Sequence, residues 1–177
     1  MYSKQVEQAI SVIRDSRLVT DDGMEEKLFL TISGLIPIVN VDLLVINDKN
    51  QILLSWRDDD IFEKGWHIPG GCLRYGESFM DRIQNTAKNE IGSMVICSEE
   101  PIAVRNVLGN AGKGNYVRER YHHVALLYKC SLKEELIIEE TIDEGCYRAG
   151  ELRWFEKIPD NLLKVHRVYF DILEPWL

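Results

Sequence analysis

Long apolar runs are missing from this chain of 177 residues. None reaches the roughly 18 residues that a bilayer-crossing helix needs, which excludes a helical membrane protein. The opening MYSKQVEQAISVIRDS carries charge throughout and lacks the apolar core and small-residue cleavage pattern of an export signal, so a cytoplasmic location is expected. Paired cysteines are also absent. Cys72, Cys97, Cys130 and Cys146 are scattered with no C-x-x-C pair, which argues against a zinc site or a disulfide framework and for reduced thiols. There is no long basic patch: 21 Lys and Arg stand against 29 Asp and Glu, and the formal charge of -8 repels polyanions at long range, so nucleic acid is not an expected partner. Internal repeats and low-complexity linkers are lacking as well.

What is present is the composition of one globular domain, with 45% hydrophobic and 28% charged residues. An acidic protein is a natural place to hold a divalent cation, and such a cation neutralises a phosphate locally. The balance therefore leans toward a metal-dependent enzyme acting on a small anionic molecule.

Val6, Ile10 and Ile13 recur at helical spacing and predict an amphipathic helix over residues 3–15. After the turn-like TDDG at 20–23, the β-branched run IPIVNVDLLVIN (36–47) reads as a buried strand, and DKNQ closes a hairpin into ILLSWR (52–57). WHIPGG (66–71) is a strand end running into a glycine turn. Over 78–91, Phe79, Ile83 and Ala87 share one helical face, Glu77 favours the positive helix start, and Gly92 sits where a C-terminal cap belongs. Further strands are expected over 102–109, 121–132 and 152–155. A final helix, N-capped by Asp160, would bring Leu163, Val165, Tyr169, Phe170 and Leu173 to the core. The whole reads as an α/β/α sandwich with a mixed sheet, residues 1–30 forming a helical extension and 31–177 the main domain.

The stretch GWHIPGGCLRYGESFMDRIQNTAKNEIGS (65–93) carries the chemistry. Adjacent glycines let the backbone turn sharply and bring a carbonyl to a ligand, while the downstream helix offers carboxylates to the same point. Gly71, Glu77, Glu90 and Gly92 fall on the pattern G-x5-E-x7-R-E-U-x-E-E-x-G-U, so the segment resembles the Nudix box. Asn85, Thr86, Asn89 and Ser93 depart from it. Beyond the box, VDLLV, Arg57, WHIPGG, HHVALL, LRWF and VHRVYF are similar to the GDP-mannose mannosyl hydrolase branch over residues 35–173.

The resemblance implies a Nudix-like fold, magnesium as cofactor with manganese as the alternative, and a nucleotide sugar as the small-molecule partner. It also implies a homodimer to which the N-terminus contributes. By position, the Gly70 carbonyl and Glu90 correspond to metal ligands, with Glu77 a further candidate, and Asp42 and Arg57 to contacts with the sugar nucleotide. Arg57 has a direct physical reason, since a fixed cation beside a diphosphate stabilises charge building on a departing nucleoside diphosphate. Cys72 occupies the place of an arginine that follows the two glycines in that branch, and Arg74 is its nearest substitute.

The branch has a histidine general base in the loop before the RW strand, whereas here that loop, EETIDEGCYRAGELRWF, holds none. Glu140, Asp143, Glu144 and Glu151 are the carboxylates available as a base there, with Glu144 preferred. His122 and His123, adjacent on a strand, must face opposite sides, and His122 matches the branch's strand histidine. Lys113, Arg118 and Arg120 in a glycine-containing loop are candidates to clamp phosphate. Two enzyme readings stay open, release of free sugar and nucleoside diphosphate or cleavage within the diphosphate, beside a non-catalytic sugar-nucleotide-binding module.

Overall fold

A computed structural model describes residues 3–15, 19–20, 23–58, 64–108, 122–138 and 146–177. The chain opens with α1 (Lys4–Asp15), the expected amphipathic helix, whose stripe of Val6, Ile10 and Ile13 is exposed. β1 (Val19–Thr20) and β2 (Gly23–Met24) pair antiparallel, and the middle of the expected TDDG turn lies outside the described residues. Hydrophobic periodicity did not reveal α2 (Glu26–Ser33), which is short for a pattern to stand out. Glu25 starts it by accepting a hydrogen bond from the Leu28 N–H.

β3 (Ile38–Val45) and β4 (Ile52–Arg57) form where their β-branched and leucine-rich runs place them. The intervening turn is also as expected: Asn47 accepts from the Lys49 and Gln51 N–H groups, and Asn50 takes a positive φ of 59°. The hairpin is not. The two strands meet only at the bridge Ile46–Ile52, after which β4 diverges into a second sheet.

That second sheet is antiparallel and has the order β10–β4–β5, with β5 at Gly65–His67 and β10 at Leu152–Phe155. Both edges of β4 are thereby taken. Trp66 anchors it, with edge-on contacts to Trp56 at 5.3 Å and Phe155 at 4.9 Å between ring centroids.

The larger sheet has the order β6–β3–β9–β7, with β6 at Gly70–Cys72, β7 at Val95–Cys97 and β9 at His122–Leu132. The long β9 also pairs with β8 (Ala103–Leu108), and only its pairing with β3 is parallel, so the sheet is mixed. Both faces of its centre are buried, and the period of two sorts them. Val41, Leu43 and Val45 of β3, with Leu126 and Tyr128 of β9, pack against Ile83, Ala87 and Ile91 of the helical segment that precedes β7. Leu44, Ala125 and Leu127 point the other way, to Tyr169, Leu173 and Trp176 of the C-terminal helical turns. This produces the α/β/α layering.

Two helices depart from expectation in form. The helix expected over 78–91 is α3 (Phe79–Thr86) followed by a π turn over Ala87–Ile91. Ser78 and Asp81 form a capping box at its start, and at its end Gly92 takes a left-handed φ of 76° while its N–H reaches the Ala87 carbonyl at 3.0 Å. At the C-terminus Asp160 caps nothing. The segment just after it is held extended, with Asn161 and Leu163 bonded to the backbone of Trp66. The helical part begins only at Lys164, as a 3₁₀ turn over Lys164–Tyr169, then α4 (Phe170–Leu173) and a last 3₁₀ turn over Glu174–Trp176. Among the described residues no helix is long and apolar enough to cross a membrane.

Candidate metal and phosphate site

The glycine turn is set by β6, which pairs with β3 so that Gly70 lies opposite Asp42. A Cβ on Gly70 would collide with Asp42 Oδ1 and would lie 3.1 Å from the Val41 carbonyl oxygen and 3.2 Å from Asn40 Nδ2. Only glycine fits there. Gly71 is as constrained, since its Cβ would stand 2.6 Å from Thr86 Oγ1 of α3.

Glu90, in the π turn, closes the turn from the helix side. Its Oε2 accepts from the Gly70 N–H at 3.1 Å and lies 3.2 Å from His67 Nε2. Oε1 has no protein hydrogen bond among the described residues. The π turn places this carboxylate, since the wider coil brings Glu90 over the glycine turn while Ala87 and Ile91 stay in the core.

Asp42 lies beneath the turn, 4% exposed, with Oδ2 accepting from the Tyr169 hydroxyl at 2.7 Å and Oδ1 from the Asn40 amide. Burial raises its pKa from 3.8 to about 7; the nearby Glu90 carboxylate adds to the rise, and the Tyr169 and Asn40 hydrogen bonds offset part of it.

The Gly70 turn, Glu90 and Asp42 are therefore brought together, but Glu77 has other partners. Its Oε2 accepts from Arg82 Nε and from the Arg74 N–H, both at 2.9 Å, and its Oε1 from Arg82 Nη2 and from Asn85 at 3.2 Å. Burial pushes its pKa up, yet these donors outweigh it and the net shift is down. Glu77 thus ties the loop to α3 rather than turning to the glycine turn, and buried Arg82 faces it from the next helical turn. The side chain of Arg74 is exposed, so that residue enters the network through its backbone.

Arg57, half-buried at the end of β4 opposite Gly65, contributes positive charge at His166. His166 is fully buried and accepts from the Ile68 N–H at 3.2 Å. Burial holds its pKa well below 6.5, assisted by His67, Arg57 and His123, so it is neutral. Of the strand pair, His123 lies toward this cluster. His122 is exposed and bonds Asn106 at 2.9 Å. Glu151 caps the Arg148 N–H at 3.1 Å and faces Arg153 at 3.7 Å. Glu140, Asp143, Glu144, Lys113, Arg118 and Arg120 lie outside the described residues.

Sequence reasoning passed over His67, His166 and Tyr169 as site residues. A signal existed for His67, three positions before Gly70. His166 and Tyr169 both lie in VHRVYF, a segment already similar to the mannosyl hydrolase branch, but nothing in it shows that they reach the glycine turn from the far end of the chain.

The donor set fits a hard divalent cation: the Gly70 carbonyl and one open carboxylate oxygen, with Asp42 behind them. Among the described residues there is no group of three or more His, Cys, Asp or Glu able to hold a metal by themselves. A cation here would keep waters or substrate oxygens in its remaining positions, as magnesium usually does.

An α/β/α sandwich with this glycine turn and helix-borne glutamate defines the class. The NUDIX domain family model matches residues 37–161, and the chain belongs to that family. It is 36% identical over 53 residues to an RNA pyrophosphohydrolase of Ruthia magnifica subsp. Calyptogena magnifica, covering 30% of this chain and 28% of that protein. It is 33% identical over 57 residues to the low-salt glycan biosynthesis protein Agl8 of Haloferax volcanii, covering 32% and 36%. The chain thus spans about a third of the length of the curated relatives it matches. A solved NUDIX-family hydrolase from Clostridium perfringens shares the fold with a TM-score of 0.54 at 16% identity, over 80% of this chain and 97% of that one.

Proposed function

We propose that this protein hydrolyses nucleoside diphosphate sugars with a magnesium or manganese ion, releasing free sugar and nucleoside diphosphate. The observation that carries the reading is the seating of Glu90 on the Gly70 N–H beside buried Asp42, with one carboxylate oxygen left open. A cation held by Glu90 and the Gly70 carbonyl would neutralise the diphosphate. Arg57 would stabilise charge on the departing nucleoside diphosphate, with Arg74 and His122 as outer contacts, and Glu144 would take the proton of the attacking water. Asp42 supports the glycine turn from beneath, and its contact with substrate is part of the same reading. A relative named for glycan biosynthesis agrees with a sugar-bearing substrate. The exposed stripe of α1 suits a homodimer, and the setting proposed is the cytoplasm.

A second reading, cleavage within the diphosphate, is favoured by the relative named as a pyrophosphohydrolase. Incubation with GDP-mannose, GDP-glucose and UDP-glucose plus magnesium in ¹⁸O-labelled water separates the two. Label in the free sugar with intact nucleoside diphosphate is the expected result. Nucleoside monophosphate with labelled phosphate would establish the second reading instead, and no turnover with any of the three would refute both.

A further inference from the structure

His67 places a ring nitrogen within hydrogen-bond distance of Glu90, and three observations fix what it does. Its Nε2 lies 3.2 Å from Glu90 Oε2, the same oxygen that receives the Gly70 N–H. Its Nδ1 is buried with no hydrogen-bond partner. Its ring stacks on His166, with centroids 6.3 Å apart and planes 20° apart, and His166 is itself locked by the Ile68 N–H.

Proton placement follows from these contacts. A bare Nε2 would set two lone pairs against each other at that distance. A proton on Nε2 instead makes the contact a hydrogen bond that His67 donates to the carboxylate.

We propose that His67 is a positioning residue for the metal site, donating Nε2–H to Glu90 so that Oε2 is held twice and Oε1 is presented to the cation. The proposal rests on Glu90 as a metal ligand. This box lacks the acidic residues that Thr86 and Asn89 replace, so a single helix carboxylate must keep one orientation without neighbours to share the cation. The stack on His166 keeps the imidazole from rotating away, and partners of this kind typically change metal affinity 10- to 100-fold. His67 does not touch the cation or the substrate.

The test measures manganese affinity by electron paramagnetic resonance on the whole protein, with thermal denaturation in parallel. His67→Met, which removes the donor at similar volume, is expected to weaken manganese binding roughly 10- to 100-fold. His67→Gln, which can still donate to Glu90, should restore most of that loss. Independently of any variant, long-range ¹H–¹⁵N correlation spectra of histidine-labelled wild-type protein loaded with magnesium should show the His67 proton on Nε2. A proton on Nδ1, or His67→Met binding manganese as wild type does while Glu90→Gln does not, would overturn the positioning role alone. Unchanged binding in Glu90→Gln would overturn the metal site itself.

Discussion

Replacing Asp42 by Asn keeps the shape of a buried side chain and removes its charge, and the consequence can be worked out as a function of pH. The wild-type carboxyl titrates at about 7 in the fold against 3.8 in the unfolded chain. The folded state therefore binds this proton more tightly. Its contribution to stability is fully present below the unfolded value and is lost as pH rises through the folded one. Each unit across that window costs about 1.4 kcal/mol, so going from about pH 5 to about pH 8 should remove about 2 to 3 kcal/mol from the wild type through this group alone.

The Asn variant has no such proton, and the Tyr169 hydroxyl can still donate to its amide oxygen. Urea denaturation of both proteins at the two pH values, in EDTA, yields the difference of differences. Other titrating groups cancel in it. The variant should gain on the wild type by about 2 to 3 kcal/mol between about pH 5 and about pH 8. Adding magnesium at the higher pH should return part of the wild type's deficit, since a ligand that binds only the folded state stabilises it. A gap between wild type and variant that stays the same at both pH values would refute the reasoning.

Gly70→Ala drives a methyl group into Asp42, and because that carboxyl is pinned by Tyr169 and Asn40 it cannot step aside. A loss of about 1 to 3 kcal/mol in chemical denaturation is expected, the usual range for overpacking. Glu77→Gln weakens the bonds to buried Arg82 and should cost about 1 to 3 kcal/mol, a typical figure for a weakened charged hydrogen-bond network. Manganese affinity should stay within about threefold of wild type in the same variant, because structural partners outside the coordination shell account for all of its bonds.

Much of the architecture was legible because local rules and tertiary demand agree. Apolar runs within residues 38–45 and 122–132 mark two strands whose centres are buried on both faces, and Phe79, Ile83 and Ala87 mark a helix that Gly92 ends. The glycine turn was legible for a similar reason, since a sharp turn is encoded within a few residues, whereas Glu90 was singled out by the resemblance to the Nudix box. The fate of β4 was not. A two-residue bridge looks like a hairpin until β5 and β10, arriving from other parts of the chain, take both of its edges. Asp160 misled in the same way, because the backbone around it pairs with Trp66 before any helix can begin.

The sequence by itself determined the layers and the glycine turn, since periodicity and backbone freedom are properties of short segments, while the Nudix-box resemblance singled out Glu90 and the π turn set it above the glycines. Only the tertiary structure decided how the acidic residues divide the work. Glu77 is bound to Arg82 and Glu90 is left with an open oxygen because each carboxylate takes the donors that packing places beside it. His67, His166 and Tyr169 join the site for the same reason: sheet register and the C-terminal turns carry Tyr169 to Asp42 and His166 to the Ile68 N–H, more than ninety positions away in the chain.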